Sequence, residues 1–218
     1  YLGDQIEMRN GVASCINQKH SVEKLTVQFN RVVGNGEADP KHHGGLDRVI
    51  HHFPREHYGQ YRRWDLMSSF KDAPSMGENI STVGLNESQV NIGDIVQVGD
   101  VTLQVTQPRS PCFKLNQQFG HQDFALVMQK TRMCGWFYKV LSEGDIGLND
   151  SIHLIDRLSN ISVAQAMEVY FLTEFDALQY QMLLECPGLA QSWVDSLLHR
   201  LHTESIEEWQ MRLYGKAS

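Results

Sequence analysis

The chain has 218 residues, 41% apolar and 21% charged, the balance of an ordinary globular protein rather than of a disordered chain, with length for one sizeable core and a small second unit. A formal charge of −7 argues against a nucleic-acid-binding surface as the main business, because neutralising phosphate requires a local excess of Lys and Arg. No apolar run approaches the roughly 20 residues needed to cross a bilayer, and Tyr1 to Gln18 has neither a basic start nor an apolar stretch of the secretory kind, so a cytoplasmic protein without membrane association is expected.

In chain order, the first strand is expected at Lys24 to Phe29. The next segment, Lys41 to Tyr58, concentrates five of the ten histidines, places Gly44-Gly45 where a backbone can approach a ligand closely, and holds a strand at Val49 to Phe53 followed by a short helix at Glu56 to Leu66. His51 and His52 project to opposite faces of that strand, so they read as strand polar groups rather than as a zinc site, which needs three or four converging ligands. Gly77-Glu78-Asn79-Ile80-Ser81-Thr82 is a turn in which Asn79 and Thr82 either bond a heterocycle or merely close the turn.

Asp94 to Val105 reads as a hairpin about Gly99-Asp100, with a type II′ turn. Directly after it comes Gln107-Pro108-Arg109-Ser110-Pro111-Cys112-Phe113-Lys114-Leu115, a loop stiffened by two prolines in which Arg109 and Lys114 bracket Cys112. Nearby positive charge favours the thiolate that nucleophiles and metal ligands require. The four cysteines, Cys15, Cys112, Cys134 and Cys186, contain no C-x-x-C pair, so zinc ribbons, iron–sulfur clusters and a disulfide framework are not indicated. For each one a small buried hydrophobe is the default, and context overturns that default only at Cys112. A helix at Asp123 to Lys130 and strands at Trp136 to Leu141 and Ile152 to Ile155 follow. Many short strands with few long helices suggest a barrel or closed sheet.

The texture changes after Asn160. Ser162-x-x-Gln165 and Asp176-x-x-Gln179 open two helices, the second stopping at Pro187-Gly188; Trp193, Val194, Leu197, Leu198 and Leu201 mark one face of a third, and Ser205-x-x-Glu208 opens a fourth. The chain thus divides into a mainly β unit over 1–160 and an all-α bundle over 161–218, too small to be stable alone and expected to pack on the first unit. Cys186, His199 and His202 read as packing or surface groups, and nothing in the tail looks chemical.

His43-Gly44-Gly45-x-Asp47-Arg48, Gly77-Glu78-Asn79-x-x-Thr82, Gly93-Asp94, Gln107-Pro108-Arg109-x-Pro111-Cys112-x-Lys114-Leu115 and Gly135-Trp136, in this order and spacing, together resemble the MOSC domain, named for the C-terminal part of molybdenum cofactor sulfurases. Pro54-Arg55-Glu56-His57-Tyr58 and the helical tail resemble its YiiM-like branch, whose members end in a three-helix extension. The resemblance covers nearly the whole chain. It implies a closed β-barrel, a molybdenum cofactor (molybdopterin) in a basic cleft, and Cys112 as both molybdenum ligand and catalytic residue. Related MOSC proteins reduce N-hydroxylated substrates, including N-hydroxylated purine bases, to amines, a detoxification.

On that footing Lys41, Arg48, Arg109 and Lys114 are candidates for the cofactor's phosphate and pterin, because Arg forks and Lys point charges bind phosphate well. Gly44 and Gly45 would offer backbone amides to the same ligand, Asn79 and Thr82 hydrogen bonds, and His43 either a bond to the pterin, a proton or only a brace for its turn. With no G-x-G-x-x-G fingerprint and no cluster-type cysteine spacing, the electrons of this oxidoreductase are expected from a separate flavin or iron–sulfur reductase. Two other readings stand beside it: a non-catalytic carrier of the cofactor or of a persulfide sulfur on Cys112, and a hydrolase in which Cys112 pairs with His43 or His57. The oligomeric state is not legible.

Overall fold

Residues 1–3, 6–7, 13–14, 19–36 and 45–215 are described by the computed structural model. In chain order the strands are β1 (Leu2–Gly3), β2 (Ile6–Glu7), β3 (Ala13–Ser14), β4 (Lys19–His20), β5 (Lys24–Gln28), β6 (Arg31–Val32), β7 (Ile50–Pro54), β8 (Ile80–Thr82), β9 (Ile95–Val98), β10 (Val101–Pro108), β11 (Trp136–Ser142), β12 (Gly144–Gly147) and β13 (Ile152–Asp156). The helices are α1 (Glu56–Arg63), α2 (Phe113–Phe119), α3 (Phe124–Thr131), α4 (Val163–Tyr170), α5 (Ala177–Leu184), α6 (Gln191–Thr203) and α7 (Gln210–Tyr214), with a 3-10 turn at Leu46–Arg48. None of the described helices is long and apolar enough to cross a membrane.

The Gly99-Asp100 turn joins β9 to β10 with Val98 opposite Val101, as the alternating apolar pattern on either side requires. This hairpin sits inside a six-stranded sheet of order β13-β9-β10-β11-β7-β8, antiparallel except for the parallel pair β7–β8. Register shifts between Thr102 and Leu103 and between Val105 and Gln107 interrupt the β10–β11 ladder, and such bulges bend a sheet. The sheet curls into a half-barrel. A second sheet, β12-β5-β6, packs Val27 and Ile146 into the same core as Val98, Val105 and Tyr138.

Two expectations are met only in part. Among the described residues the barrel does not close: after Ser142 the chain leaves β11 and, two residues on, pairs with β5 instead, leaving β8 and β13 as edges of the larger sheet. With seven described helices the class is mixed α/β rather than mainly β. The stretch after Pro111 is also not all loop, since α2 starts at Phe113.

The tail's first two helices begin where their caps stand. Ser162 Oγ accepts from the Gln165 amide at 3.1 Å while Gln165 Oε1 accepts from the Ser162 amide at 2.9 Å, a reciprocal capping box, and Asp176 Oδ1 accepts from the Gln179 amide at 3.1 Å. In α6 the buried stripe runs through Trp193, Leu197 and Arg200, an i, i+4, i+7 series. Leu198, expected on that face, is rotated about 100° from Leu197 and is exposed. Ser205 opens no helix; its hydroxyl bonds Thr203, and α7 starts five residues later at Gln210. Tyr170, Leu183, Trp193 and Leu197 belong to the same apolar cluster as Val96, Leu103 and Trp136, so tail and sheet share one core.

The junction is tight and polar as well. Thr106 accepts from the Ala190 amide at 3.0 Å, and Asp47 Oδ2 accepts from the Gln191 amide at 2.9 Å, satisfying the otherwise orphaned start of α6. Gly93, with φ of +85°, brings its backbone so near the tail that an added Cβ would lie 2.3 Å from the Pro187 carbonyl oxygen. Gly84 has a similar φ of +87° but open space around it. Gly93→Ala should therefore destabilise the protein by about 2–4 kcal/mol in urea denaturation, against about 1 kcal/mol for Gly84→Ala, which carries the backbone strain alone; equal losses would mean that the sheet–tail contact yields freely.

Candidate functional site

Strand β10 ends at Pro108, and the Arg109 amide donates to the Gly135 carbonyl at 3.0 Å, which ties the exit of β10 to the entry of β11. Cys112 is extended (φ −138°) at the cap of α2, and its carbonyl accepts from the Leu115 amide at 3.0 Å as the helix begins. Cys112 is 9% exposed, Arg109 and Lys114 both 7%. The guanidinium of Arg109 has one described hydrogen bond, from Nη1 to the Met128 thioether at 3.3 Å, and no carboxylate pairs with it among the described residues. Burial lowers the pKa of Arg109, and the sulfurs of Cys112 and then Cys134 pull it back up.

A third cation was not legible in the sequence. Arg212, in α7, donates from Nη1 to the Pro111 carbonyl at 2.5 Å and from Nη2 to Gln129 Oε1 at 2.6 Å, with its guanidinium 4.6 Å from the centre of the Phe171 ring. Burial brings its pKa down to about 10, and the strongest opposing influence is Cys112. The tail, in which nothing looked chemical from the sequence, thus touches the cysteine loop through this residue, whose short helix had no pattern marking it. His51, read from the sequence only as a strand polar group, has its Nε2 buried without a hydrogen-bond partner among the described residues, and burial, then the charge of Arg109, hold its pKa well below the usual histidine value.

Other candidates are placed elsewhere or otherwise engaged. Arg48 turns toward the tail, donating from Nη2 to Ser192 Oγ at 3.3 Å, and Ser192 Oγ in turn lies 3.4 Å from Gln107 Oε1. Gly45 is exposed at the start of the 3-10 turn. Asn79 Oδ1 accepts from the His51 amide at 3.2 Å, and its Nδ2 donates to the Tyr1 carbonyl and to Asn35 Oδ1, each at 3.3 Å. Thr82 Oγ1 meets His52 Nε2 at 2.8 Å, while His52 Nδ1 meets the Tyr138 hydroxyl at 3.0 Å. Lys41, His43, Gly44 and Cys15 lie outside the described residues.

His57, the candidate partner for a hydrolytic cysteine, gives its Nε2 to Glu87 Oε2 at 2.7 Å. Glu87 also accepts from the Gly135 amide at 2.7 Å through Oε1, and from the Ala164 amide at 2.9 Å through its backbone carbonyl. The carboxylate thus joins α1 to the turn before β11, and its backbone joins both to α4. Cys134 and Cys186 are buried, and burial raises both thiol pKa values, as suits packing roles. Among the described residues no three His, Cys, Asp or Glu side chains group as a metal site.

A family model described as the MOSC domain matches residues 39–153, and one described as a YiiM-like 3-alpha helix domain matches residues 161–204. Protein YiiM of Escherichia coli is 41% identical over 184 residues, 84% of this chain and 82% of that protein. The crystal structure of YiiM from Escherichia coli superposes with a TM-score of 0.82 at 37% identity, covering 90% of this chain and 94% of that one. A Gibberella moniliformis protein named a reductase is 37% identical over 128 residues, 58% of this chain and 23% of its own length.

The buried His52 carries a pH dependence of its own. Burial holds its pKa at about 3, against about 6.5 in the unfolded chain. Between those values the unfolded state binds the extra proton, so stability is complete above about pH 6.5 and falls as pH drops toward 3. From about pH 7 to about pH 5 this one group should remove about 2 kcal/mol. His52→Gln, which keeps partners for Thr82 and Tyr138, should flatten the slope of unfolding free energy against pH by that amount; an unchanged slope would mean that His52 is protonated in the fold.

Proposed function

Because the chain belongs to the MOSC family, in its YiiM-like branch, we propose that it binds a molybdenum cofactor through Cys112 and works as a reductase of N-hydroxylated compounds, purine bases among them. The observation that carries this reading is the company of Cys112: Arg109 and Arg212 lie at its loop with no carboxylate paired to either among the described residues, and the charge of Arg109 also reaches His51, whose buried Nε2 has no hydrogen-bond partner among the described residues. Buried cations and orphaned polar atoms are costly unless a ligand satisfies them. An anionic ligand bearing phosphate and a hydrogen-bonding heterocycle would do so, and a thiolate suits a soft, sulfur-rich metal centre. The residues present therefore fit the cofactor.

In this reading Cys112 ligates the metal, while Arg109, Lys114 and Arg212 neutralise the cofactor's anionic groups. Gly44, Gly45, Asn79, Thr82, Lys41 and Arg48 are the further candidates for binding the pterin and phosphate, with His43 as candidate proton donor. When bound, the cofactor supplies two-electron reduction with removal of oxygen from an N–OH group; the balance is one hydroxylamine, two electrons and two protons giving one amine and one water. The electrons come from a separate flavin or iron–sulfur reductase. The reductase name of the fungal relative is consistent with this class of chemistry. Residues 1–160 would hold most of the site, and the helices over 161–218 would buttress it.

The test uses protein made in cells able to synthesise the cofactor. Wild type should retain molybdenum and, given a chemical reductant, turn an N-hydroxylated purine into the amine. Cys112→Ala should lower bound molybdenum by roughly tenfold or more and abolish turnover, while Cys186→Ala changes neither. Retained molybdenum without turnover would favour the carrier reading, and near-normal turnover by Cys112→Ala would rule out the thiolate.

A further inference from the structure

We infer that Arg212 is a positioning residue for Cys112: from the far end of the helical tail it pins the Pro111–Cys112 turn and sets a cation beside the sulfur. The inference rests on the reading of Cys112 as the ligating sulfur and adds a residue that lies outside both matched family segments, 39–153 and 161–204.

Three contacts bring α7 onto the cysteine's own helix. Arg212 Nη1 donates to the carbonyl directly before Cys112 at 2.5 Å, Asn116 Nδ2 donates to the Leu213 carbonyl at 2.7 Å, and Gly215 lies so close that an added Cβ would stand 2.9 Å from the Phe113 ring. The guanidinium is fixed on its other side by Gln129 Oε1 at 2.6 Å and by the Phe171 face. A purely structural arginine in this protein looks different: Arg200 is fully buried, gives two hydrogen bonds to the Glu207 carboxylate, and caps the Tyr170 carbonyl at 2.6 Å. Arg212 has only neutral partners among the described residues, so its charge stays available to an anion at the loop it holds.

A charge-selective probe separates positioning with a cation from simple fastening. In full-length protein prepared without cofactor, Cys112 is alkylated with anionic iodoacetate and with neutral iodoacetamide, and the peptide bearing it is followed by mass. The ratio of the two rates cancels thiolate fraction and access, leaving the local potential. Arg212→Gln should lower that ratio roughly threefold to tenfold, the effect of one nearby, partly screened charge. Arg212→Lys should hold it within about twofold, and Arg132→Gln, which opens an exposed pair with Glu168, should leave it unchanged. Arg212→Met, which keeps contact with the Phe171 ring, is the second neutral variant should Arg212→Gln fail to fold. An unchanged ratio in the neutral variants, an equal fall in Arg212→Lys, or a wild-type Cys112 that neither reagent reaches would overturn the inference. A ratio that falls as expected while wild type from cofactor-making cells holds no molybdenum would leave Arg212 in place and remove the cofactor reading; full molybdenum with an unchanged ratio does the reverse.

Discussion

Strand β10 has to be covered on both faces, since of its eight residues only Thr102 is partly exposed. A strand buried in this way must find every hydrogen bond inside the protein. Several of its polar groups do so by reaching other elements. Thr106 Oγ1 donates to the Asp47 carbonyl at 2.6 Å, Gln104 Nε2 to the Gly93 carbonyl at 3.3 Å, and the Thr106 carbonyl takes the Ala190 amide. The tail is thus a second wall of the β10 core. The loop bearing Cys112 issues from the buried end of this strand, so its position follows from packing on both sides.

What could be read from the residues was what depends on neighbours in sequence. The hairpin at Gly99-Asp100, the caps at Ser162 and Asp176, and the singular setting of Cys112 after two prolines and between two cations each occupy fewer than about a dozen residues, and each reflects a local rule. Whether the half-barrel closes depends on which strand β12 chooses, a decision between β11 and a partner more than a hundred residues away, and periodicity carries no information on it. Arg212 is hidden for the same reason: its partner Pro111 is 101 residues distant. Leu198 shows a local pattern read too generously, because two adjacent leucines on a helix cannot both face inward unless the buried arc is wide. The assignments at Lys41, His43 and Gly44 lie outside the described residues and rest on the sequence alone, His43 and Gly44 on the family pattern and Lys41 on its charge.

Charge is sorted by position. The molecule carries an excess of seven acidic groups, yet Arg200 and Arg157 have carboxylate partners in Glu207 and Asp94, whereas among the described residues the side chains of Arg109 and Arg212, at the cysteine loop, bond only to thioether, carbonyl and carboxamide. Acidic surroundings elsewhere do not cancel this local excess, because charges beyond about 8–10 Å across solvent are screened.

The bonds of Glu87 have a mechanical meaning once both ends of the tail are followed. From α4, the Ala164 amide reaches Glu87, whose carboxylate holds Gly135, whose carbonyl holds the Arg109 amide. From α7, Arg212 holds the Pro111 carbonyl. The four residues from Arg109 to Cys112 are therefore gripped at one end by the first helix of the tail and near the other by the last, like a short beam clamped at two supports. Such a beam has no free swing, and sliding the tail across the sheet would have to bend it. The rigidity of the cysteine loop and the cohesion of the helical tail are then one property measured at two places.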